Sequence, residues 1–226
     1  MILLERKKLK GVVVDREKKI LELCKRRSVL HLGCADHPFG KEQYQKGILL
    51  HQKIADVTND LMGIDLSTEG IAWLTSVGYK NLLVGNAEKL SELGIKCKFD
   101  VIVAGELLEH LSNPGMFLSS VHPLMAQGGV LIITVPNAHA VKSFIRILFL
   151  RKELVHPDHF YYFSVATIEH ICKRYNYELL EYFYYLSNPN GISKKLIFLP
   201  IKYFIKFISP YMGDGLIFII KSLKNA

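Results

Sequence analysis

Two carboxylates and an imidazole lie close together in the stretch GELLEHL, as Glu106, Glu109 and His110. Their spacing of three and four residues would place all three side chains on one side of a helical turn. Carboxylate oxygens and an imidazole nitrogen suit a divalent cation such as Mg²⁺, Mn²⁺ or Zn²⁺, and they also suit proton transfer. This stretch is therefore the first candidate for catalysis or metal binding.

Two further imidazoles occur in HPDHFYYFS, where His156 and His159 bracket Pro157-Asp158. This segment could form a substrate-side loop with His159 as a general base. The aromatic run 160–163 could stack against a planar substrate or an RNA base, or could belong to the core. Ser164, which follows it, is typical of a helix N-cap.

Further candidate residues follow four successive apolar segments: Gly33 follows the first, and the polar residues Asp65, Asn86 and Glu106 follow the other three. A carboxylate after the second segment could accept hydrogen bonds from both hydroxyls of a ribose. An amide after the third could accept one from an adenine amino group, and Gly33 lets backbone approach a ligand closely. The candidate cofactor-binding residues are Gly33, Cys34, Ala35, Asp65, Leu66, Asn86, Ala87 and Glu106.

The elements that would position these residues alternate along the chain. Short, apolar segments rich in β-branched residues predict strands at 28–32, 61–64, 81–84, 99–104 and 129–134. Amphipathic segments predict helices at 15–26, 41–58, 67–77, 114–126 and 138–149, the first with Asp15 as its N-cap. Beyond residue 150 a helix and a strand are expected between 165 and 186, and a last strand at 215–223.

This alternation predicts an α/β fold with a parallel sheet covered by helices on both faces. Ligands of such sheets bind at the carboxyl ends of the strands, where the polar residues above would meet. Neither repeats nor a convincing linker divide the chain, so we expect a single domain over 1–226. Its expected parts are an N-terminal helical segment (1–27), a cofactor-binding core (28–140) and a substrate-side or lid segment with the C-terminal strands (141–226).

Composition sets broader limits on function. The 226 residues are 50% hydrophobic and carry a net charge of +8, which permits an anionic partner without requiring one. The four cysteines have no C-x-x-C spacing, which argues against a zinc ribbon and fits a reducing, cytoplasmic compartment. The basic, apolar stretch 193–212 could lie on a membrane surface, or could pack on the core with its lysines in solvent.

Five phrases of the sequence together resemble the class I S-adenosylmethionine-dependent methyltransferases. They are VLHLGCADHP, GIDLS, VGNAEKL, FDVIVAGELLEHLSNPGMFL and GGVLIITVPNA, and they cover residues 28–140. The resemblance implies a Rossmann-like, seven-stranded, mostly parallel sheet whose last strand is antiparallel. It also implies S-adenosylmethionine as cofactor and S-adenosylhomocysteine as product. A dinucleotide dehydrogenase would need a pyrophosphate-binding G-x-G-x-x-G loop, which HLGCADHPF lacks.

The first loop departs from the pattern of this family. His31 stands where the family usually has an acid, and Ala35 and His37 stand where it has glycines. Asn86 replaces a common Asp but keeps a carbonyl acceptor. His31 could be a neutral histidine that orients the loop or a satisfied core histidine, while Asp36 is expected to cap a helix rather than contact the ligand.

The E-x-x-E-H phrase with a later histidine resembles two narrower groups. One is the small-RNA 3′-terminal 2′-O-methyltransferases, whose motif implies a divalent metal held by Glu106, Glu109, His110 and His159. The other is the ubiquinone-pathway O-methyltransferases, beside a large bacterial group that acts on small molecules. In metal-free members of the superfamily the first Glu faces the cofactor and the His packs. We keep Glu106, His110 and His159 as catalytic candidates, whether or not a metal is bound.

Three functions remain open at this point. The first is O-methylation of a small-molecule, saccharide or lipid-like acceptor, for which 193–212 could supply a peripheral membrane contact. The second is metal-dependent RNA 2′-O-methylation, which the net charge favours but the scattered Lys and Arg residues do not. The third is a non-catalytic cofactor-binding or membrane-associated protein, which the altered first loop favours.

Overall fold

The computed structural model describes residues 12–151, 156–187, 203, 205 and 209–223. Its strands are β1 (Val13–Val14), β2 (Ser28–Leu32), β3 (Asp60–Asp65), β4 (Leu82–Val84), β5 (Phe99–Gly105), β6 (Met125–Pro136), β7 (Tyr177–Tyr185) and β8 (Gly215–Ser222). Its α-helices are α1 (Arg16–Cys24), α2 (Gly40–Gln45), α3 (Leu50–Ala55), α4 (Thr68–Ser76), α5 (Pro114–Val121), α6 (Val141–Leu150) and α7 (Val165–Arg174). Short 3-10 helices span Ala87–Leu93, Leu108–His110, His122–Leu124 and Pro210–Met212.

All of these strands form one sheet, in the order β1-β7-β8-β6-β5-β2-β3-β4. Only β8 runs against its neighbours β6 and β7, and the other pairs are parallel. The expected mostly parallel α/β sheet with an antiparallel last strand is therefore confirmed. The two-residue β1, which pairs with β7 at the sheet edge, is an eighth strand that the sequence did not predict.

Alternate residues of the central strands pack on opposite faces of the sheet, as the two-residue period of a strand requires. On one face Leu30, Ile102 and Ile133 belong to a core that α5 and α7 cover. On the other, Val29 and Val103 pack against α1 and α3. Because both faces are covered, most positions of the central strands are apolar rather than alternately polar, and His31 and Thr134 are buried exceptions.

The helices differ from the sequence prediction in their bounds. The helix expected at 41–58 is two helices, because Gly47 adopts φ +65° and ends the first one. The helix expected at 114–126 ends at Val121 and continues as a 3-10 turn that contains Pro123. Of the stretch 193–212, only Tyr203, Ile205 and 209–212 lie among the described residues, with Tyr203 exposed and Ile205 buried.

Two predicted caps have different outcomes. Ser164 caps α7 through a reciprocal pair of hydrogen bonds with Thr167, so that prediction is confirmed. Asp36 does not cap a helix: α2 begins after Phe39 without a side-chain cap, and the Asp36 carboxylate accepts a hydrogen bond from the Gln43 side chain instead. The prediction was wrong because the loop runs for several more residues before the helix begins.

Candidate functional site

The carboxyl ends of β2, β3, β4 and β5 lie at one edge of the sheet, because these four strands are parallel neighbours. The candidate cofactor residues follow directly from these ends. Gly33 to Ala35 follow β2, Leu66 follows β3, Asn86 and Ala87 follow β4, and Glu106 follows β5. The fold thus gathers the residues that the sequence singled out.

The first loop is tied to the end of β3 by hydrogen bonds. Gly33 adopts φ +74°, and its N–H donates to the Ile64 carbonyl over 2.8 Å. Asp65 accepts from the Ala35 N–H through Oδ2 and from the Ser67 N–H through Oδ1, each over 2.9 Å. Since each carboxylate oxygen accepts more than one hydrogen bond, Asp65 keeps acceptor capacity for a ligand's hydroxyls.

The loop turns tightly enough that its neighbours must be small. A Cβ on Gly40 would lie 1.9 Å from the carbonyl oxygen of Ala35, which leaves no room for any side chain. A Cβ on Gly70 would lie 2.6 Å from the Cβ of Ala35. Cys34 and Ala35 themselves are buried, so the loop offers backbone groups to a ligand more than side chains.

The residues after β3 and β4 offer a flat apolar surface and an amide. Leu66 is exposed beside Asp65, where its side chain is free to pack against a planar group. Asn86 accepts the Glu88 N–H through Oδ1 over 2.8 Å and so caps the following 3-10 helix. Its Nδ2 and a second lone pair on Oδ1 are the groups available to a base.

Glu106 lies in a hydrogen-bonded cluster that the sequence did not predict. Its backbone adopts the left-handed φ of +51°, and its Oε1 accepts from the Thr134 hydroxyl over 2.9 Å and the Tyr185 hydroxyl over 2.8 Å. Arg16 donates to Thr134 Oγ1 over 3.0 Å and lies 3.9 Å from Glu106 Oε1. Burial and the neighbouring Glu106 carboxylate raise the pKa of Tyr185 well above its usual range, so this hydroxyl stays a donor.

Arg16 and Tyr185 come from the two ends of the chain, α1 and β7. No spacing in the sequence relates them to Glu106. Arg16 is one of several charged residues in an amphipathic helix, and Tyr185 is one of several tyrosines in a strand, so no local signal marks either of them.

The helical turn expected to align Glu106, Glu109 and His110 does not form. Glu106 precedes a 3-10 turn over Leu108–His110 rather than belonging to it. Glu109 points inward, is fully buried, and neither carboxyl oxygen has a hydrogen-bond partner among the described residues. Burial, followed by the nearby Glu106 carboxylate, raises the pKa of Glu109 to about 8.

The histidines come together in a different combination. Within the described part of the chain, His110, His156 and His159 form one group of possible metal ligands, with ligand atoms all within 4.8 Å of one another. The predicted set of Glu106, Glu109, His110 and His159 is therefore corrected: the structure gathers its two histidines, adds His156, and leaves both glutamates outside the group.

The hydrogen bonds of this histidine group indicate which nitrogens are available. His110 Nδ1 lies 3.2 Å from the carbonyl oxygen of Asp158, which can only accept, so Nδ1 carries the proton. The Nε2 of His110 is then the nitrogen with a free lone pair. Burial, with the two neighbouring imidazoles, lowers the pKa of His159, which keeps this ring a neutral base or ligand at neutral pH.

The aromatic run beside this group divides between surface and core. Phe160, Tyr161 and Tyr162 are exposed, whereas Phe163 is buried in the core. The Tyr161 hydroxyl donates to the Ser112 carbonyl over 2.9 Å. The core interpretation is therefore confirmed for Phe163, and stacking against a planar ligand stays a prediction for the three exposed rings.

His31 is a buried histidine that stacks on another one. Its ring lies 5.4 Å from that of His51, and the two Nδ1 atoms are 3.2 Å apart. Gly63 leaves the space for this pair, since a Cβ there would lie 2.9 Å from a ring carbon of His51. Burial lowers the pKa of His31 well below its usual range and that of His51 to about 4.

None of the helices in the described ranges combines the length and the apolar character needed to cross a bilayer.

A family model described as a methyltransferase domain matches residues 6–182 of the chain. The ubiquinone biosynthesis O-methyltransferase of Azorhizobium caulinodans is 29% identical over 124 residues, which cover 51% of this chain and 42% of that protein. The matched region is thus less than half of the length of that relative.

Solved structures share the fold at low sequence identity. A SAM-dependent methyltransferase from Archaeoglobus fulgidus matches with a TM-score of 0.58 at 19% identity, covering 92% of this chain and 91% of that one. The N-methyltransferase NodS from Bradyrhizobium japonicum, in complex with S-adenosyl-L-homocysteine, matches with a TM-score of 0.54 at 15% identity, covering 92% and 86%.

Proposed function

The chain belongs to the methyltransferase-domain family, and from this premise we propose that it methylates a hydroxyl group of a small-molecule acceptor. The cofactor is S-adenosylmethionine, and S-adenosylhomocysteine is the product. The observation that carries the proposal is a histidine group next to the strand ends that hold the cofactor candidates. In this proposal the strand ends hold the methyl donor, and the neighbouring histidine group accepts the proton of the acceptor hydroxyl.

We assign the cofactor to Gly33, Cys34, Ala35, Asp65, Leu66, Asn86, Ala87 and Glu106. Asp65 supplies carboxylate oxygens for the ribose hydroxyls, and Leu66 an apolar surface for adenine. Asn86 presents an amide to the base, and the Gly33 backbone approaches the ligand closely. This assignment covers the proposed cofactor-binding core, 28–140, with 1–27 supplying Arg16 and 141–226 forming the acceptor side.

The reaction is an in-line displacement at the methyl carbon. The acceptor oxygen forms a bond to this carbon while the carbon–sulfur bond breaks, and the electron pair of that bond returns to sulfur. The hydroxyl proton must leave, and His159 or Nε2 of His110 is placed to accept it. Glu106, held by Thr134 and Tyr185, faces the same edge and orients the reactants.

The residues present also fit a divalent metal. Three imidazoles whose ligand atoms converge are a donor set that suits Zn²⁺ and leaves a coordination position for an acceptor oxygen. When bound, such a cation would lower the pKa of the acceptor hydroxyl. His110, His156 and His159 would hold it, and the buried Glu109 carboxyl would stay outside the ligand set.

A small acceptor is favoured over RNA by the kind of protein that the chain matches. The curated relative is named for an O-methyltransferase reaction on a small molecule. The exposed aromatics beside the histidine group, Phe160, Tyr161 and Tyr162, are not interleaved with Lys or Arg, whereas such interleaving is expected of an RNA-binding surface. RNA binding that falls steeply with added salt would reverse this choice.

Calorimetric titration with S-adenosylmethionine tests the cofactor assignment. Asp65→Ala should weaken binding about tenfold or more, because it removes a charged acceptor of the ribose and loosens the first loop. Asp60→Ala is the matched control, since it changes the same residue type at the other end of β3. Absence of heat at millimolar cofactor would instead support a non-catalytic protein.

Formation of S-adenosylhomocysteine with simple catechols and hydroxylated quinols as acceptors tests the chemistry. His159→Gln should lower kcat about 100-fold, as expected for loss of a general base or ligand. His170→Gln, an exposed histidine on α7, should leave it unchanged. Turnover that survives both EDTA and the His156→Gln change would rule out the metal while leaving the histidine base in place.

A further inference from the structure

Helix α6 exposes large apolar side chains instead of burying them. Phe144 is 60% exposed and Leu148 57%, and Ile147 lies between them with more than half of its surface in solvent. Phe149 at the end of the helix is 74% exposed. Most surface apolar residues of a globular protein occur singly, so several on one ten-residue helix indicate a surface that contacts something apolar.

The exposed residues form a stripe. Phe144, Ile147 and Leu148 are spaced by three and four residues, which places them on one side of the helix. Val141, one turn before Phe144 on the same side, is buried, so this side of the helix is covered at its start. From Phe144 to Leu148 the same side is exposed to solvent.

The charges on α6 are all of one sign. No acidic residue occurs between Val141 and Arg151, whereas Arg146, on the opposite side from the stripe, and Arg151, at the end of the helix, are exposed cations. A helix with one apolar side, and with cations on its other side and at its end, complements the surface of a bilayer that contains anionic phospholipid.

The position of α6 links this surface to the acceptor side. The segment after α6 returns to its base, where the Ala138 N–H donates to the Phe163 carbonyl over 2.9 Å. This segment carries His156 and His159, and its Phe160 is also exposed. The start of α6 therefore lies close to the segment that carries the histidine group.

We propose that α6 docks the protein on anionic phospholipid bilayers, with Phe144, Ile147 and Leu148 inserted among the lipids and Arg146 and Arg151 at the headgroups. This contact is separate from the stretch 193–212. It does not depend on the methyl-transfer proposal, because binding to lipid requires neither cofactor nor acceptor.

Flotation of the full-length chain with vesicles tests this inference. Vesicles of phosphatidylcholine with one quarter phosphatidylglycerol should carry the protein, and those of phosphatidylcholine alone should carry about tenfold less. Leu148→Asp should weaken binding about tenfold or more, and Arg146→Glu should do so only at low salt. Leu223→Asp is the matched control: Leu223 is 56% exposed and lies beyond the end of β8.

Circular dichroism and S-adenosylmethionine titration of each variant establish that the fold and the cofactor site are retained. Equal vesicle binding by Leu148→Asp and the control would overturn the proposal. So would a dimer in analytical ultracentrifugation that Leu148→Asp dissociates, because a second copy would then cover the stripe. Loss of lipid binding with normal cofactor binding would support docking whatever the fate of the catalytic proposal.

Discussion

The buried pair of His31 and His51 couples the stability of the fold to pH. Burial lowers the pKa of both rings, because a charged imidazole inside the core loses solvation, and the neighbouring His51 and Arg16 lower that of His31 further. A histidine of the unfolded chain has a pKa near 6.5, whereas the pKa of His51 in the folded protein is about 4. Between these values the unfolded state holds more protons, so the free energy of unfolding falls as the pH falls.

His51→Gln should flatten this dependence. For a shift from 6.5 to about 4, one histidine accounts for about 3 kcal/mol of lost stability across the interval. Urea unfolding at several pH values between 4 and 7 measures it, and His139→Gln, at an exposed histidine, is the control. Parallel profiles for wild type and His51→Gln would contradict the assignment.

The sequence predicted some features of the site around Glu106 and not others. The candidate positions at the strand ends were predicted from polar residues that follow apolar segments, and the fold brings them to one edge. The inward turn of Glu109 was not predicted, because a spacing of three and four residues aligns side chains only when the segment is helical. Glu106 adopts a left-handed backbone instead, which no local pattern announces.

At the scale of elements, α7 anchors the loop that carries His156 and His159. Ser164 follows this loop and caps the helix, accepting the Thr167 N–H over 3.3 Å while Thr167 Oγ1 accepts the Ser164 N–H over 2.8 Å. The loop is thus fixed at its C-terminal end by a helix start. The cap was predictable because it depends on residues only three positions apart.

Ser164→Ala should lower the free energy of unfolding by about 1 kcal/mol, since one N–H of the first turn loses its acceptor. Urea denaturation followed by circular dichroism gives the value. Ser143→Ala, at an exposed serine of α6, should change stability by less than half as much. Equal effects of the two changes would mean that the cap contributes nothing.

The helix bounds depend on longer-range causes. The segment 41–58 reads as one amphipathic helix, yet Gly47 divides it and His51 then packs on the far side of the break. The split is stabilised by the space that Gly63 leaves on β3. Because that space comes from a different strand, the periodicity of 41–58 alone could not reveal it.

Across the whole molecule, the four cysteines report on the integrity of the core. Cys24, Cys34 and Cys172 are buried and Cys97 is exposed. Burial raises the pKa of Cys24 and of Cys172 to about 12, so these thiols are inert as well as inaccessible.

The native protein should therefore react rapidly with a thiol reagent such as Ellman's reagent at one cysteine, and at all four in denaturant. Cys97→Ser should abolish the rapid phase. Two or more rapid thiols in the wild type would show that part of this core is open in solution.

The parallel part of the sheet was predictable because five strands and their crossover helices follow one another in a regular alternation. The pairing of β1 with β7 was not, since it joins Val13 to Tyr184 across most of the chain. The Arg16 contact with Thr134 depends on this same pairing, which places the start of α1 beside the site. Long-range contacts of this kind are decided by packing rather than by local sequence.

The order of the sheet places its two shortest strands, β1 and β4, at its edges. An outer strand offers unpaired N–H and C=O groups to any other chain that approaches, and long edges template aggregation. The short β1 covers only Tyr184 and Tyr185 of the nine-residue β7, so the rest of this edge is β7 itself. Its exposed Glu178 and Glu181 are charges of the kind that oppose the addition of another strand. The fold can therefore keep an apolar central sheet and still resist edge-to-edge association at high local concentration.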